Sequence, residues 1–209
     1  CIRDSLRTVD VDAIEFDRVE IDRGKLLSSE ELDGLAGEYK RHLFVEDGIS
    51  PRAVPGHPNA VYATASDEHD EFGHISEDQH TRTKMMQKRM KKLETARKDI
   101  EPPIRYGPEK APTVLAGWGS TYGVLREVVD RLDGEARLVH FRDLWPFPAE
   151  AAVEALRGGR LVVVENNYTA QFKRLLQGET CIEADQVLLR YDGRPFSPED
   201  VLAGLKEVR

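Results

Sequence analysis

Leu161-Val162-Val163-Val164-Glu165 runs directly into Asn166-Asn167-Tyr168-Thr169-Ala170-Gln171. Four apolar residues in succession, with no polar alternation, describe a short strand covered on both faces, as in a parallel sheet. This is the most apolar strand of the chain and is read as central. The Asn-rich stretch after it is a turn. Outward from it, Thr113-Val114-Leu115-Ala116-Gly117 is a second short buried strand. It is followed by the Gly-punctuated turn Trp118-Gly119-Ser120-Thr121-Tyr122-Gly123 and a helix with Val124, Val128, Val129 and Leu132 inward. A strand over Arg137–Phe141 ends at Leu144-Trp145-Pro146-Phe147-Pro148, and 148–156 is helical. A helix over 169–176 buries Phe172, Leu175 and Leu176, and a strand covers 186–190. Ser197 caps a last helix with Pro198 at its first position. Strands alternating with helices predict an α/β fold: a mostly parallel sheet with helices on both faces, joined by right-handed crossovers, over residues 112–209.

Residues 51–111 read as a connector. Pro51, Pro55, Gly56 and Pro58 hold an extended path. An acidic loop follows, Asp67-Glu68-His69-Asp70-Glu71-Phe72-Gly73-His74. Ser76-Glu77-Asp78-Gln79 then has the form of a capping box. The helix it opens is expected over 77–98. Met86, Met90 and Leu93 share one narrow face, and Arg82, Lys84, Lys88, Arg89, Lys91 and Lys92 make the others basic. Pro102-Pro103 and Gly107-Pro108 read as a linker. Residues 1–50 are acidic and irregular, with Ser28 or Ser29 capping a short helix that carries Leu32, Leu35 and Tyr39. Ile14, Phe16, Val19 and Ile21 are too little apolar area to fold alone. This stretch is expected to pack on another part of the polypeptide.

With 209 residues, 40% apolar and 33% charged, the chain is expected to build a core. A formal charge of −8 argues against general nucleic-acid binding. No apolar run approaches the length that spans a bilayer. The chain opens Cys1-Ile2-Arg3-Asp4 with neither Met nor an apolar stretch behind it, so the reading is a piece of a longer cytoplasmic polypeptide. Two cysteines, Cys1 and Cys181, without a CxxC pair, hold neither an iron–sulfur cluster nor a disulfide framework.

Candidate chemistry is sparse. The Gly119 turn offers backbone N–H groups at a helix start, but it is neither GxGxxG nor GK[ST], and a tight turn capped by Ser120 or Thr121 accounts for it better. Glu165 can orient a neighbouring loop, and Glu165, Asn166 and Gln171 are interface candidates, because ligands and partners collect at the carboxyl ends of parallel strands. His69 and His74 lie among carboxylates without a metal-ligand spacing, so charged His–carboxylate pairs compete with pocket or interface roles. The basic helix lacks the interleaved aromatics of single-strand recognition and reads as a solvated or subunit-facing helix. No catalytic set of nucleophile, base and orienting group assembles.

Several of these stretches together resemble the C-terminal part of the α subunit of 2-oxoacid:ferredoxin oxidoreductases, most of all the 2-oxoglutarate type. They are Asp47-Gly48-Ile49-Ser50-Pro51-Arg52, Gly56-His57-Pro58-Asn59, Asp67 to His74, and Lys88-Arg89-Met90. In the second half they are Gly119 to Gly123, Trp145-Pro146-Phe147-Pro148 and Val164-Glu165-Asn166-Asn167-Tyr168, which also suit the wider transketolase C-terminal-like domain. Ala170 stands where a Gly is expected before Gln171. The resemblance covers roughly residues 35–209. It implies CoA-dependent oxidative decarboxylation of a 2-oxoacid to an acyl-CoA (succinyl-CoA from 2-oxoglutarate), CO2 and reduced ferredoxin. It implies thiamine diphosphate, Mg2+ and [4Fe–4S] clusters held elsewhere in the complex, a cysteine-bearing β subunit and an (αβ)2-type assembly. This segment would then have no catalytic residue and would pack and place domains, with residues 1–50 as the tail of an upstream thiamine-enzyme domain. The residues it implies for a pocket or interface are Arg52, His57, Asn59, His69 and His74. A non-catalytic docking module using the basic helix, or a nucleotide-binding α/β module using the Gly119 turn, are the alternatives.

Overall fold

A computed structural model describes residues 11–206. Cys1 and the charges of the first ten residues lie outside them. Contacts divide the described residues into two compact units, one up to Lys98 and one from Asp99.

The first unit has little regular structure. Helix α1, Ser29–Asp33, carries the expected cap: Ser28 Oγ accepts from Glu31 N, and Glu31 reaches back to Ser28 N. Leu32, Tyr39 and Ala60 are buried together, with Leu27 and Ala53 against them. Leu26 bridges Arg52 in parallel fashion. Contacts therefore run across residue 50.

Helix α2, Gln79–Ala96, starts later than the sequence pattern suggests. Asp78, not Ser76, is its cap, accepting from Thr81 N at 2.7 Å. Its inward face also differs. Met85 is 1% exposed, whereas Met90 is 47% exposed. The reason is that this helix has too few apolar residues for a hydrophobic stripe to set its rotation. Polar anchors set it instead. Thr95 Oγ1 donates to Asp47 O at 2.7 Å. Gly48, at φ +76, lies so close that a Cβ there would meet Lys92 N at 2.5 Å.

The second unit is a five-stranded sheet of order β1-β3-β2-β4-β5. Its strands are β1 (Ile104–Tyr106), β2 (Thr113–Trp118), β3 (Ala136–Phe141), β4 (Arg160–Glu165) and β5 (Gln186–Leu189). The three pairings made by β2 and β4 (β2 with β3, β2 with β4, β4 with β5) are parallel, as expected, and β1 is antiparallel to β3. Two expectations change here. β4 is interior, but the middle strand is β2. And the segment read as a linker contains β1, because a three-residue strand between prolines is too short for periodicity to reveal.

The helices are α3 (Tyr122–Arg131), α4 (Ala149–Ala155), α5 (Gln171–Thr180) and α6 (Pro198–Lys206). Val114, Ala116, Val139, Phe141 and Val163 pack with Ala152, Ala155, Phe172 and Leu176 of α4 and α5. Leu115, Leu138, Val162 and Val164 pack with Leu125, Val128 and Val201 of α3 and α6. Both faces are thus covered, which is why these strands show no polar alternation. Arg137 is 7% exposed, and its guanidinium donates to Ala155 O and Arg157 O, both at 2.6 Å, closing the carboxyl end of α4. The α5 helix begins two residues later than expected, at Gln171, because Ala170 before it is left-handed.

Candidate functional site

Two places gather the candidate side chains, and each lies within one unit.

In the first unit the acidic loop folds back on itself. Asp70 N donates to His74 O, Ser76 N to Glu68 O, and Asp70 Oδ1 accepts from Phe72, Gly73 and His74 N at 2.9–3.1 Å. This is the local side-chain-to-backbone bonding that Asp offers a turn. The loop is fastened to its surroundings by two carboxylates. Glu71 accepts from Phe44 N at 2.8 Å and Lys40 Nζ at 3.0 Å. Glu68 accepts from Arg89 Nη2 at 2.6 Å and Arg82 Nη1 at 2.5 Å. Arg82 and Arg89 are seven residues apart, so two turns of helix put both on the side that meets Glu68. Their hydrogen bonds hold the Glu68 carboxyl far below the usual range, at about 2.

Beside this clamp the His42 and His69 rings lie 4.1 Å apart, centre to centre. Burial, then the adjacent His69 and Arg41, push His42 down to about 4. His69 Nδ1 is 2.9 Å from Asp70 O, which can only accept, so this nitrogen carries the proton. His74 is exposed, 3.9 Å from Glu38 and 4.0 Å from Asp70. His57 and Asn59 meet elsewhere on the unit. His57 Nδ1 accepts from Asn59 N, and both side chains face Asp33, at 3.6 and 3.1 Å. Arg52 is exposed and donates to Arg23 O at 3.0 Å. The five predicted residues thus fall into separate neighbourhoods: His57 with Asn59, His69 on His42, His74 on the loop, and Arg52 on the bridge to Leu26.

Sequence reasoning missed His42 and the fastening role of Glu68 and Glu71. His42 lies outside the dense 57–74 patch, and nothing local announces its partner ring. The Arg82/Arg89 spacing was a usable signal. Among the described residues no group of three or more His, Cys, Asp or Glu side chains converges as a metal site. Cys181 is the only described cysteine and is exposed.

In the second unit the candidates follow β2 and β4. The two strands pair as far as Ala116 and Val163. Beyond that, Gly117 and Trp118 stay with β3, while Val164 and Glu165 stay with β5. The strands therefore part at the point where the chain order reverses. On the β2 side, Gly119–Thr121 is a 3₁₀ turn in which Thr121 Oγ1 donates back to Trp118 O, and neither Ser120 nor Thr121 makes the expected cap. This is a closed turn. On the β4 side, Glu165 is 0% exposed and faces inward. Its carboxylate accepts from Asn167 Nδ2, Phe172 N and Lys173 N. Asn167 Oδ1 accepts from Gln171 N at 3.1 Å. Glu165 thus orients the turn and the start of α5 and, being buried, is not an interface residue, while Asn166, Tyr168 and Gln171 stay outside.

No protein-family profile matches the chain. Among solved structures it resembles the 2-oxoglutarate:ferredoxin oxidoreductase from Magnetococcus marinus, determined with 2-oxoglutarate, coenzyme A and succinyl-CoA bound. The TM-score is 0.69 at 31% identity, over 84% of this chain and 31% of that one. The fold is that of an α/β segment of a 2-oxoacid oxidoreductase. Curated relatives carry the same description. They include 2-oxoacid:ferredoxin oxidoreductase 1, subunit alpha, of Sulfurisphaera tokodaii, 36% identical over 99% of this chain and 32% of the relative. The corresponding subunit of Saccharolobus solfataricus is 34% identical over 92% of this chain and 31% of the relative. Over nearly its whole length the chain is similar to one segment of 2-oxoacid:ferredoxin oxidoreductase α subunits, and it spans about a third of the length of these relatives. No helix of the described residues is long and apolar enough to cross a membrane.

Proposed function

We propose that this chain is part of the α subunit of an enzyme that oxidatively decarboxylates a 2-oxoacid with coenzyme A, giving an acyl-CoA, CO2 and reduced ferredoxin. The 2-oxoacid we favour is 2-oxoglutarate, with succinyl-CoA as product. The observation that carries this is the 36% identity maintained over 99% of the chain. The 2-oxoglutarate preference is supported by the structural likeness to an enzyme bound to that substrate.

A four-thiolate cluster does not fit the described residues, which hold one exposed cysteine and no converging metal group. The proposal therefore assigns thiamine diphosphate, Mg2+ and [4Fe–4S] to the rest of the complex, including a cysteine-bearing β subunit. The work of this segment is to hold and place. Residues 1–50 continue an upstream domain, and 51–111 connect it to the α/β domain of 112–209. Arg82 and Arg89 are engaged by Glu68, so they are not free to take a substrate carboxylate. Arg52, His57, Asn59, His69 and His74 are the residues that would face a pocket wall or interface, and Asn166 and Gln171 would face a partner.

Co-expression of the full-length subunit with its β partner tests the reading. CoA-dependent reduction of ferredoxin or viologen with 2-oxoglutarate, faster than with pyruvate, is the expected result. Absence of turnover with every 2-oxoacid offered would overturn it.

A further inference from the structure

The starts of β2, β3 and β4 lie side by side, with Thr113 in register with both Ala136 and Arg160. Two turns enter there, 107–112 ahead of β2 and 157–159 ahead of β4, and they meet backbone to backbone. Arg160 N donates to Pro112 O at 2.7 Å. Gly159, at φ +84, sits where a Cβ would meet Ala111 O at 2.6 Å. Arg137, the second residue of β3, is tied to the second turn through Arg157 O and Gly158 O. Two adjoining cavities of about 310 Å³ each open between these pieces. Glu109, Lys110, Arg137 and Arg157 line both of them.

Arg137 is 7% exposed, yet among the described residues no carboxylate pairs with it. Its hydrogen bonds all go to carbonyls, those of Ala155, Arg157 and Gly158. They do not use all the N–H donors of a guanidinium, so donors remain for a ligand. Buried charges are ordinarily paired. Closing the end of α4 explains the carbonyl bonds, but it supplies no counter-charge. Burial, and then the neighbouring Arg105, lower Arg137 from its usual value, the direction of a cation with no anion against it. Arg105 itself is engaged by Glu154 at 3.0 Å. Lys110 and Arg157 are exposed and make no ion pair among the described residues. On the wall shared by the two cavities, three cations therefore face one carboxylate, Glu109, an excess of two positive charges. The whole chain stands at −8, so the sign is reversed locally. Such a wall matches a dianion, and guanidinium donors suit the oxygens of a phosphate.

We propose that this pair of cavities is a binding site for a dianionic phosphate group, free or carried by a small ester, held by Arg137 with Lys110 and Arg157. Arg137 is already fixed by the carbonyls at the end of α4, so little freedom is lost when it takes the ligand. The two exposed cations complete the cradle, and the second cavity leaves room for the body of an ester. The site lies at the amino ends of the strands, and nothing in it depends on the 2-oxoacid reading.

Isothermal titration of the full-length protein with inorganic phosphate, glycerol 3-phosphate and acetate tests it, at a pH above the second phosphate pKa and at constant chloride. Phosphate should bind saturably, and acetate about tenfold or more weakly. Lys110→Ala/Arg157→Ala should weaken phosphate binding about tenfold or more at unchanged melting temperature, because neither side chain is paired in the fold. Lys110→Arg should retain it. Glycerol 3-phosphate bound as well as phosphate would support the site and make esters its ligands, whereas its exclusion would support the site for the free ion. The absence of saturable phosphate binding would overturn the proposal. So would a double variant that binds phosphate like the parent, or acetate held as tightly as phosphate.

Discussion

Replacing Ala170 with glycine should stabilise the second unit. Ala170 is left-handed at the entry to α5, with no side-chain cap of its own. Relieving a non-glycine residue of that conformation returns roughly 1–2 kcal/mol. Glycine loosens the unfolded chain and takes back about 0.4–1 kcal/mol. The Ala methyl is only half-buried, so little packing is lost with it. The net expectation is a gain of about 0.5–1 kcal/mol, which at a typical urea dependence moves the midpoint up by about 0.3–0.7 M. The assay has a built-in reporter: the chain has 2 tryptophans, Trp118 and Trp145, both in this unit, so indole fluorescence follows its unfolding. Cys181 supplies a parallel case. It is left-handed at φ +59 after α5, and it is exposed. Cys181→Gly should therefore raise the midpoint by a similar amount. A lower midpoint for Ala170→Gly would show that the turn is not strained as described.

Other expectations concern the first unit. Glu68→Gln should destabilise it by about 1–3 kcal/mol, because two guanidinium groups lose a charged acceptor; Arg82→Ala should cost less than Arg89→Ala, since Arg82 is the more exposed partner. Chemical denaturation of the three variants gives the order, and an equal effect of the two arginines would contradict it. Gly48→Ala combines φ +76 with a Cβ 2.5 Å from Lys92 N, so hydrogen exchange over 79–96 should accelerate sharply. Unchanged protection there would mean that α2 is not seated on this loop. His42 is held neutral in the fold, with its value lowered to about 4 from 6.5. The unfolded chain therefore binds its proton first, and stability falls as pH drops from about 6.5 to about 4. Allowing for solvent screening, the loss from this group is about 1–2 kcal/mol. In His42→Gln the stability profile between these limits should be flatter than in the parent, and a parallel profile would refute the assignment.

The α/β unit was largely legible because burial on both faces writes itself into unbroken apolar runs such as Val162-Val163-Val164. β1 escaped, since three residues between prolines carry no period. The first unit was harder for a physical reason. Its stability rests on polar fasteners, Glu68 to Arg82 and Arg89, Glu71 to Lys40 and Phe44 N, and such pairings leave no periodic trace. The rotation of α2 followed them, which is why Met85 turned inward in place of Met90. At the site, the orienting role of Glu165 could be read from its place after an apolar strand, whereas the ring contact of His42 with His69 joins residues too far apart for local reading. The departure Ala170 was visible in the sequence, but that it adopts the glycine conformation anyway was not.

β1 has a consequence for how this protein avoids unwanted growth. The flank of a parallel layer offers free N–H and C=O groups that a foreign chain can zip onto. Here the β3 flank is covered by a three-residue strand running the other way, with Pro102-Pro103 before it and Pro108 just after. The opposite flank, β5, is only four residues long and is followed by Arg190. Neither side is a usable template for ribbon extension, so larger assemblies of this chain must be built through side chains, not through a continuous sheet.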